Sequence, residues 1–520
     1  MIPLIIKASR GLSFQAPSSG ISTMKQLSYL DANFLYLETQ HAPMHVGGTF
    51  IFQQPADQEM TFARFKQHIQ SRLQTSPVFR RRLIEIPLDL DLPYWLEDPH
   101  FDLEEHLFRH RLTSGSSSEL QLQAETFFSK PLDREKPLWE IQFVEGLNEI
   151  GDFAFIIKVH HCAIDGVSGE EILVGLLDFS EKAKAMPVDN WKPEKFPRYS
   201  ALVGKKFWKS KNTAKQLFDL AKGTVETVNR SANLRVSEAG DTPPLFFNSP
   251  ATPFNVEVSD NRRLVHVHLP LQKVKEIKNS QTNVTVNDVA LTVCSGALQQ
   301  ILQNENSLPD TDLIAMVPVS NRRKSKEPEQ NTSTGNDVSA MLVSLGTNEE
   351  SILKRLEKIH KNSRKGILYN RAVAAEQLLG QLPVMTSAVV TKAFTKFKAG
   401  QLLKPIFNVV ITNVPGSPVP LYLSGSKLVS QSFNAPIYDY AGLTINVTSY
   451  VDVLTIGVTT TQEILADGEA FVKAINTAFD TLYQKAVADV VVPEPKQEKA
   501  LKKPSVANKA EVTNDCVAVG

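Results

Sequence analysis

Between positions 158 and 166 the chain reads Lys158-Val159-His160-His161-Cys162-Ala163-Ile164-Asp165-Gly166, two histidines followed at fixed offsets by an aspartate and a glycine. A neutral imidazole, with an ordinary pKa of about 6.5, accepts a proton at pH 7 and suits general-base work. Four fixed positions carry more information than a lone glycine motif. Two other readings stand beside this one. The pair could be hydrogen-bonded core, and a metal site would need a third ligand that no sequence neighbour offers. Cys162 reads as a small packing residue. The chain has no Gly-rich phosphate loop, so nucleotide hydrolysis is not expected.

The elements that position this cluster are legible nearby. DFAFIIKVHH (152–161) alternates as a strand, with Phe153, Phe155, Ile157, Val159 and His161 on one face and Ile156, Lys158 and His160 on the other. His161 therefore sits at a strand end, where α/β proteins build sites. Asp165-Gly166 turns the chain into GEEILVGLLDF, a helix with Ile172, Leu173, Leu176 and Leu177 inward. PLWEIQFVEGL (137–147) is a second β-rich run able to pair with the first. Upstream, Asp31 is an N-cap candidate before an apolar stripe at Phe34, Leu35 and Leu37, 61–74 is an amphipathic helix, and 119–129 is helical. RRLVHVHLP (262–270) restarts β structure, VNDVALTVCSGALQQIL (286–302) is helical, and four later runs read as strands, with helices near 351–365, 373–382 and 468–485.

At 520 residues the chain exceeds one compact core, so two lobes of mixed α/β structure are expected. Residues 1–23 read as a disordered extension, with Met24 as an alternative start. Residues 24–182 form the first lobe, 183–255 a crossover with a basic helix, 256–489 the second lobe, and 490–520 a disordered Lys/Pro tail. Lys plus Arg equals Asp plus Glu at 56 each, which gives no reason to expect nucleic acid as a partner. Cys162, Cys294 and Cys516 form no close pair, which argues against a disulfide framework and fits a reducing cytoplasm. No apolar run is long enough to span a bilayer. Basic stretches at Lys192–Lys222, interleaved with Phe207, Trp208, Leu217 and Leu220, and at Lys354–Lys404 read either as solvated helix faces or as peripheral contacts with an anionic membrane.

The motif His160-His161-Cys162-Ala163-Ile164-Asp165-Gly166 resembles the HHxxxDG signature of the bacterial wax ester synthase/acyl-CoA:diacylglycerol acyltransferases, relatives of the chloramphenicol acetyltransferase-like, CoA-dependent acyltransferases. LSYLDANFLYLETQHAPMHVG (27–47) is similar to that family's opening segment, and PLDREKPLWE (131–140) to its PLW block. VNDVALTVCSGAL (286–298), PVSNRR (318–323) and NVVITNVPGSPVPLYLSG (408–425) resemble later blocks, so the likeness runs from about residue 25 to 485. It implies two chloramphenicol-acetyltransferase-like lobes with mixed sheets, a long crossover, and an active-site channel between the lobes. The implied activity is transfer of a long-chain acyl group from acyl-CoA to a fatty alcohol, a diacylglycerol or both, for storage lipid. Acyl-CoA is then a substrate, with no cofactor and no metal. The implied location is the cytoplasm, peripheral on the inner membrane face or on lipid inclusions.

By this likeness His161 is the general base and Asn287 of the ND motif either an oxyanion donor or a helix cap. His160, Asp165 and Gly166 support the site, with Arg322 or Arg323 as a partner for Asp165. Trp139 lines the acyl channel or packs in the core. Glu38 contacts the channel or is a helix-surface charge. Asn413-Val414-Pro415-Gly416 shapes a tight turn. The same motif also occurs in condensation-type enzymes with carrier-bound donors. A non-catalytic lipid-droplet-binding relative is the remaining alternative.

Overall fold

Alternating aromatic and aliphatic residues build the first sheet of the computed structural model, which describes residues 25–55, 59–86, 91–148, 151–164, 169–183, 186–192, 249–320, 338–372 and 404–489. Asp165, Gly166, Arg322, Arg323, Cys516, the terminal extensions, the helix near 373–382 and most of the 183–255 crossover with its basic helix lie outside the described residues.

The first lobe opens with β1 (Lys25–Gln26), α1 (Tyr29–Leu37), β2 (His45–Gln53) and α2 (Phe62–Arg72). It continues through β3 (Arg81–Ile84), β4 (Tyr94–Glu97), β5 (Leu107–Arg111), α3 (Ser117–Ser129), β6 (Trp139–Leu147), β7 (Asp152–His160) and α4 (Gly169–Leu176). β6 pairs antiparallel with β7, as the two β-rich runs predict, and β2 flanks β7 on its other side, also antiparallel. Phe153, Phe155, Ile157 and Val159 of β7 join the cluster that α2 covers through Phe65 and Ile69. Ala154 and Ile156 face α3 and its Leu120, Ala124, Phe127 and Phe128. Each fully buried aromatic of this kind contributes about 1.5–3 kcal/mol. β2 approaches its neighbours closely because Gly47 lacks a side chain: a Cβ there would lie 1.8 Å from the Ile157 carbonyl oxygen.

Ser28, not Asp31, caps α1. Its hydroxyl accepts the Asp31 N–H at 3.1 Å while the Asp31 carboxylate takes the Ser28 O–H at 2.6 Å. Asp31 is the third residue of the first turn, and the first apolar residue of the helix, Tyr29, begins earlier than the stripe suggests.

The second lobe contains β8 (Arg262–Pro270), α5 (Leu271–Ser280), α6 (Val286–Asn304), β9 (Ile314–Ser320), β10 (Val338–Ser344), α7 (Ile352–Ala372) and β11 (Val409–Pro415). Then follow β12 (Tyr422–Leu423), β13 (Ser426–Asn434), β14 (Thr444–Tyr450), β15 (Val453–Thr461) and α8 (Gly468–Tyr483). Its six-stranded sheet runs β10-β9-β11-β14-β15-β8, with β11 parallel to both neighbours. Val265, Val267, Ile445, Val447, Ile456 and Val458 form an apolar face under α6 and α8.

One expectation is corrected. Residues 256–489 are not a self-contained lobe, because β12 and β13 complete the first sheet, ordered β12-β13-β2-β7-β6-β5. Leu421, Leu423 and Leu428 pack into the first lobe's cluster, and β13 pairs with β2 from Lys427 opposite Gln53 to Asn434 opposite Gly47. Beneath β13 the second sheet presents polar side chains: Asn446 Nδ2 donates to the Phe433 carbonyl at 2.7 Å, and His266 Nε2 lies 3.0 Å from Asn434 Oδ1. The edge strand β8 is also tied across. Gln121 Nε2 of α3 donates to the Leu264 carbonyl at 2.7 Å, and Glu125 accepts the Leu264 N–H at 3.0 Å.

Candidate active site

Strand β7 ends at His160, and the chain tightens at once into a 3₁₀ turn over His161–Ala163. His160 caps that turn itself. Its Nδ1 accepts the Cys162 N–H at 3.1 Å, which leaves the ring proton on Nε2, 3.3 Å from Glu38 Oε1. His160 is fully buried and its own N–H donates to the Leu138 carbonyl at 2.9 Å. The strand alternation stops at His160, and His161 takes its direction from the 3₁₀ turn.

His161 donates its N–H to the Met44 carbonyl at 2.8 Å, which ties the turn to the residue before β2. The imidazole stacks on Phe34 of α1, with centroids 3.8 Å apart and planes at 17°. Nδ1 is buried without a hydrogen-bond partner, while the residue as a whole retains partial exposure. Burial, reinforced by the nearby His160 ring, depresses its pKa to about 4. The ring is therefore neutral at pH 7 and free to accept a proton.

Glu38 follows the last residue of α1 and faces inward. Oε1 accepts the Met44 N–H at 3.1 Å, and Oε2 accepts from Arg134 Nη2 at 2.6 Å and Nε at 2.9 Å. Arg134 Nη2 also donates to the Leu35 carbonyl at 2.9 Å. Burial alone would raise the Glu38 pKa, but the His160 ring and the Arg134 guanidinium outweigh it and hold the carboxyl at about 2. Glu38 is thus a nearly buried, ionised hub between helix and histidine pair rather than a helix-surface charge. Cys162 is fully buried, and burial together with the Asp31 and Glu38 carboxylates pushes its thiol well up, so it stays protonated.

Trp139 is fully buried and pairs with Val159, but its ring lies in the core. It stacks on His106 at 4.6 Å and donates its indole N–H to the Phe79 carbonyl at 3.0 Å. Asn287 lies in the first turn of α6. Thr285 supplies the cap, in a capping box with Asp288, so that role does not fall to Asn287. Asn287 Oδ1 instead accepts from Asn413 Nδ2 at 3.1 Å. Asn413 belongs to β11, opposite Val447 of β14, rather than to the turn expected there. Among the described residues no hydrogen bond joins either asparagine to the histidine pair.

The structure brings His160, His161 and Glu38 together and puts Asn287 in the other lobe, a grouping that sequence reasoning did not make. Sequence reasoning also missed Phe34, Met44, Arg134 and Asn413. Arg134 stands in the PLDREKPLWE block and Phe34 in the opening segment, but nothing local marks either as a partner of the histidines. Among the described residues no helix is long and apolar enough to cross a membrane.

The wax ester synthase/diacylglycerol acyltransferase catalytic domain matches residues 27–290, and the WS/DGAT C-terminal domain matches 334–483. O-acyltransferase WSD of Acinetobacter baylyi is 33% identical over 446 residues, covering 84% of this chain and 92% of that one. The solved wax ester synthase/diacylglycerol acyltransferase of Marinobacter aquaeolei superposes with a TM-score of 0.62 at 27% identity, covering 89% of this chain and all of that one. The starter condensation domain of rhizomide synthetase, solved with C8-CoA and Leu-SNAC, shares the two-lobed fold at a TM-score of 0.53 and 12% identity, over 90% of this chain and 95% of that one. With both of its domain models matched in order and a relative aligned over most of its length, this chain belongs to the wax ester synthase/diacylglycerol acyltransferase family.

Proposed function

We propose that the protein is an O-acyltransferase that moves a long-chain acyl group from acyl-CoA to the hydroxyl of a fatty alcohol or a diacylglycerol, making wax ester or triacylglycerol, with His161 as general base. One observation supports this reading most directly. In a chain of this family, the strand-end imidazole is neutral at pH 7, partly exposed, and held through its backbone and one ring face. With the proton on the buried Nδ1, Nε2 is the nitrogen left to accept.

The acceptor hydroxyl gives its proton to His161 as its oxygen attacks the thioester carbonyl. The tetrahedral oxyanion then collapses, breaks the carbon–sulfur bond, and the departing CoA thiolate takes the proton back from the imidazolium. No acyl-enzyme is needed, and the buried, protonated Cys162 thiol is not disposed to form one. We assign oxyanion stabilisation to Asn287. Its Oδ1 is engaged by Asn413, which orients the amide so that Nδ2 can donate, and the first turn of α6 adds the positive end of the helix dipole. The substrates meet in a channel between the lobes, and the basic stretches at 192–222 and 354–404 favour peripheral contact with a membrane or lipid-inclusion surface.

The test supplies labelled palmitoyl-CoA with hexadecanol or dioleoylglycerol to the wild type and to His161→Ala. Ester formation is expected to fall about 10²–10⁴-fold in the variant. Unchanged turnover removes His161 from the mechanism.

A further inference from the structure

We infer that α1 is a clamp on the histidine pair: Phe34 and Glu38, one helical turn apart, hold His161 and His160 respectively and so position the base. The inference rests on His161 being that base. Residues four apart on a helix share a face, and this face meets both histidines. The Phe34 ring lies flat on the His161 imidazole, and the Glu38 carboxylate faces His160 Nε2. Glu38 acts a second time, because it binds the Met44 N–H while the Met44 carbonyl accepts the N–H of His161. One helix face therefore touches the base ring, its preceding residue and the peptide that anchors its backbone. Arg134 completes the clamp from the segment before β6, pinning the Glu38 carboxylate and the Leu35 carbonyl together.

The clamp also bears on how readily the base holds a proton. The charged or titratable group acting on the His161 ring is His160; Asp31, Glu38, Arg134 and Glu85 act on the adjacent Cys162, and Lys158, His160, Glu38 and Arg262 on the neighbouring His45. Two effects of Phe34 oppose each other. A ring face attracts an imidazolium through its quadrupole. Exclusion of water from that face penalises the charged ring. Burial is the largest cause of the low His161 pKa, and the stacked Phe34 ring is part of that burial, so we take exclusion to dominate. Removing the phenyl face should therefore make the base easier to protonate.

The experiment compares wild type, Phe34→Leu, Phe34→Tyr, Glu38→Gln and His161→Ala, each checked for a cooperative thermal melt, with kcat, KM and the pH dependence of kcat/KM measured using palmitoyl-CoA and hexadecanol. Phe34→Leu replaces the flat face with a smaller, flexible side chain that leaves part of the imidazole face open to water. Its kcat is expected to fall about tenfold with KM nearly constant, and its acid limb to rise toward the ordinary histidine value. Phe34→Tyr, which restores the ring, should return both to near wild type. Glu38→Gln keeps shape but not charge, and is expected to lower kcat with little change in KM. Folded Phe34→Leu and Glu38→Gln proteins with wild-type kcat and acid limb overturn the clamp, as does a loss of kcat that Phe34→Tyr shares without any shift of the limb. The His161→Ala arm separates the two levels. If it is inactive while the clamp variants are normal, the base stands and the clamp falls, whereas an active His161→Ala removes the base itself.

Discussion

Acidifying the assay should leave this enzyme working where an ordinary histidine base would already be protonated. Burial holds the His161 pKa at about 4, against about 6.5 for a free imidazole. The difference corresponds to about 3 kcal/mol favouring the neutral ring. At about pH 5 roughly 90% of the His161 rings stay neutral, whereas an unperturbed ring would be only about 3% neutral, a gap of about thirtyfold in competent enzyme. The measurement is kcat/KM for palmitoyl-CoA with hexadecanol from about pH 4 to pH 8 at constant ionic strength, since this quantity reports the free enzyme. One control is essential. His45 and His266 are also buried with depressed values. For such groups the unfolded chain binds more protons below about 6.5, so stability present above that value is lost as pH falls toward the folded values. Samples held at low pH are therefore returned to pH 7 and reassayed. Full recovery with an acid limb centred near 6.5 refutes the argument, because it means that the ring is as well solvated as a free imidazole.

Two further outcomes are expected. Asn287→Ala should lower kcat about 10²–10³-fold with little change in KM, and Asn413→Ala, which removes only the group orienting that amide, by about tenfold; equal rates in steady-state assays would take Asn287 out of the oxyanion role. In sedimentation with anionic vesicles at low salt, the protein should pellet and be released as salt rises, since surface charges are screened over about 10 Å at 0.1 M. Full recovery in the supernatant with vesicles at low salt would count against surface association.

Legibility in the sequence followed the range of the interactions. The alternation of Phe153, Phe155, Ile157 and Val159 against Ala154 and Ile156 is local, and it gave the two faces of β7. The amphipathic spacing of Phe62, Phe65, Ile69 and Leu73 gave α2 for the same reason. Glu38 was visible as a charge at a helix end, but its meaning depends on Arg134, far along the chain, and on which way α1 is rotated. Trp139 could line a channel or fill a core until Phe79 and His106 closed around it. The strand at 426–434 carries a mixed pattern that suits either lobe, and only the open side of β2 decides where it goes.

That last strand has a consequence for biosynthesis. Until the ribosome has added residues 426–434, the emerging first lobe exposes the hydrogen-bonding flank of His45–Gln53 with nothing beside it. Such a bare flank can recruit a strand from another nascent copy. Truncated products ending before residue 426 are thus expected to associate and precipitate, and the two halves should yield a working enzyme only when they are made together.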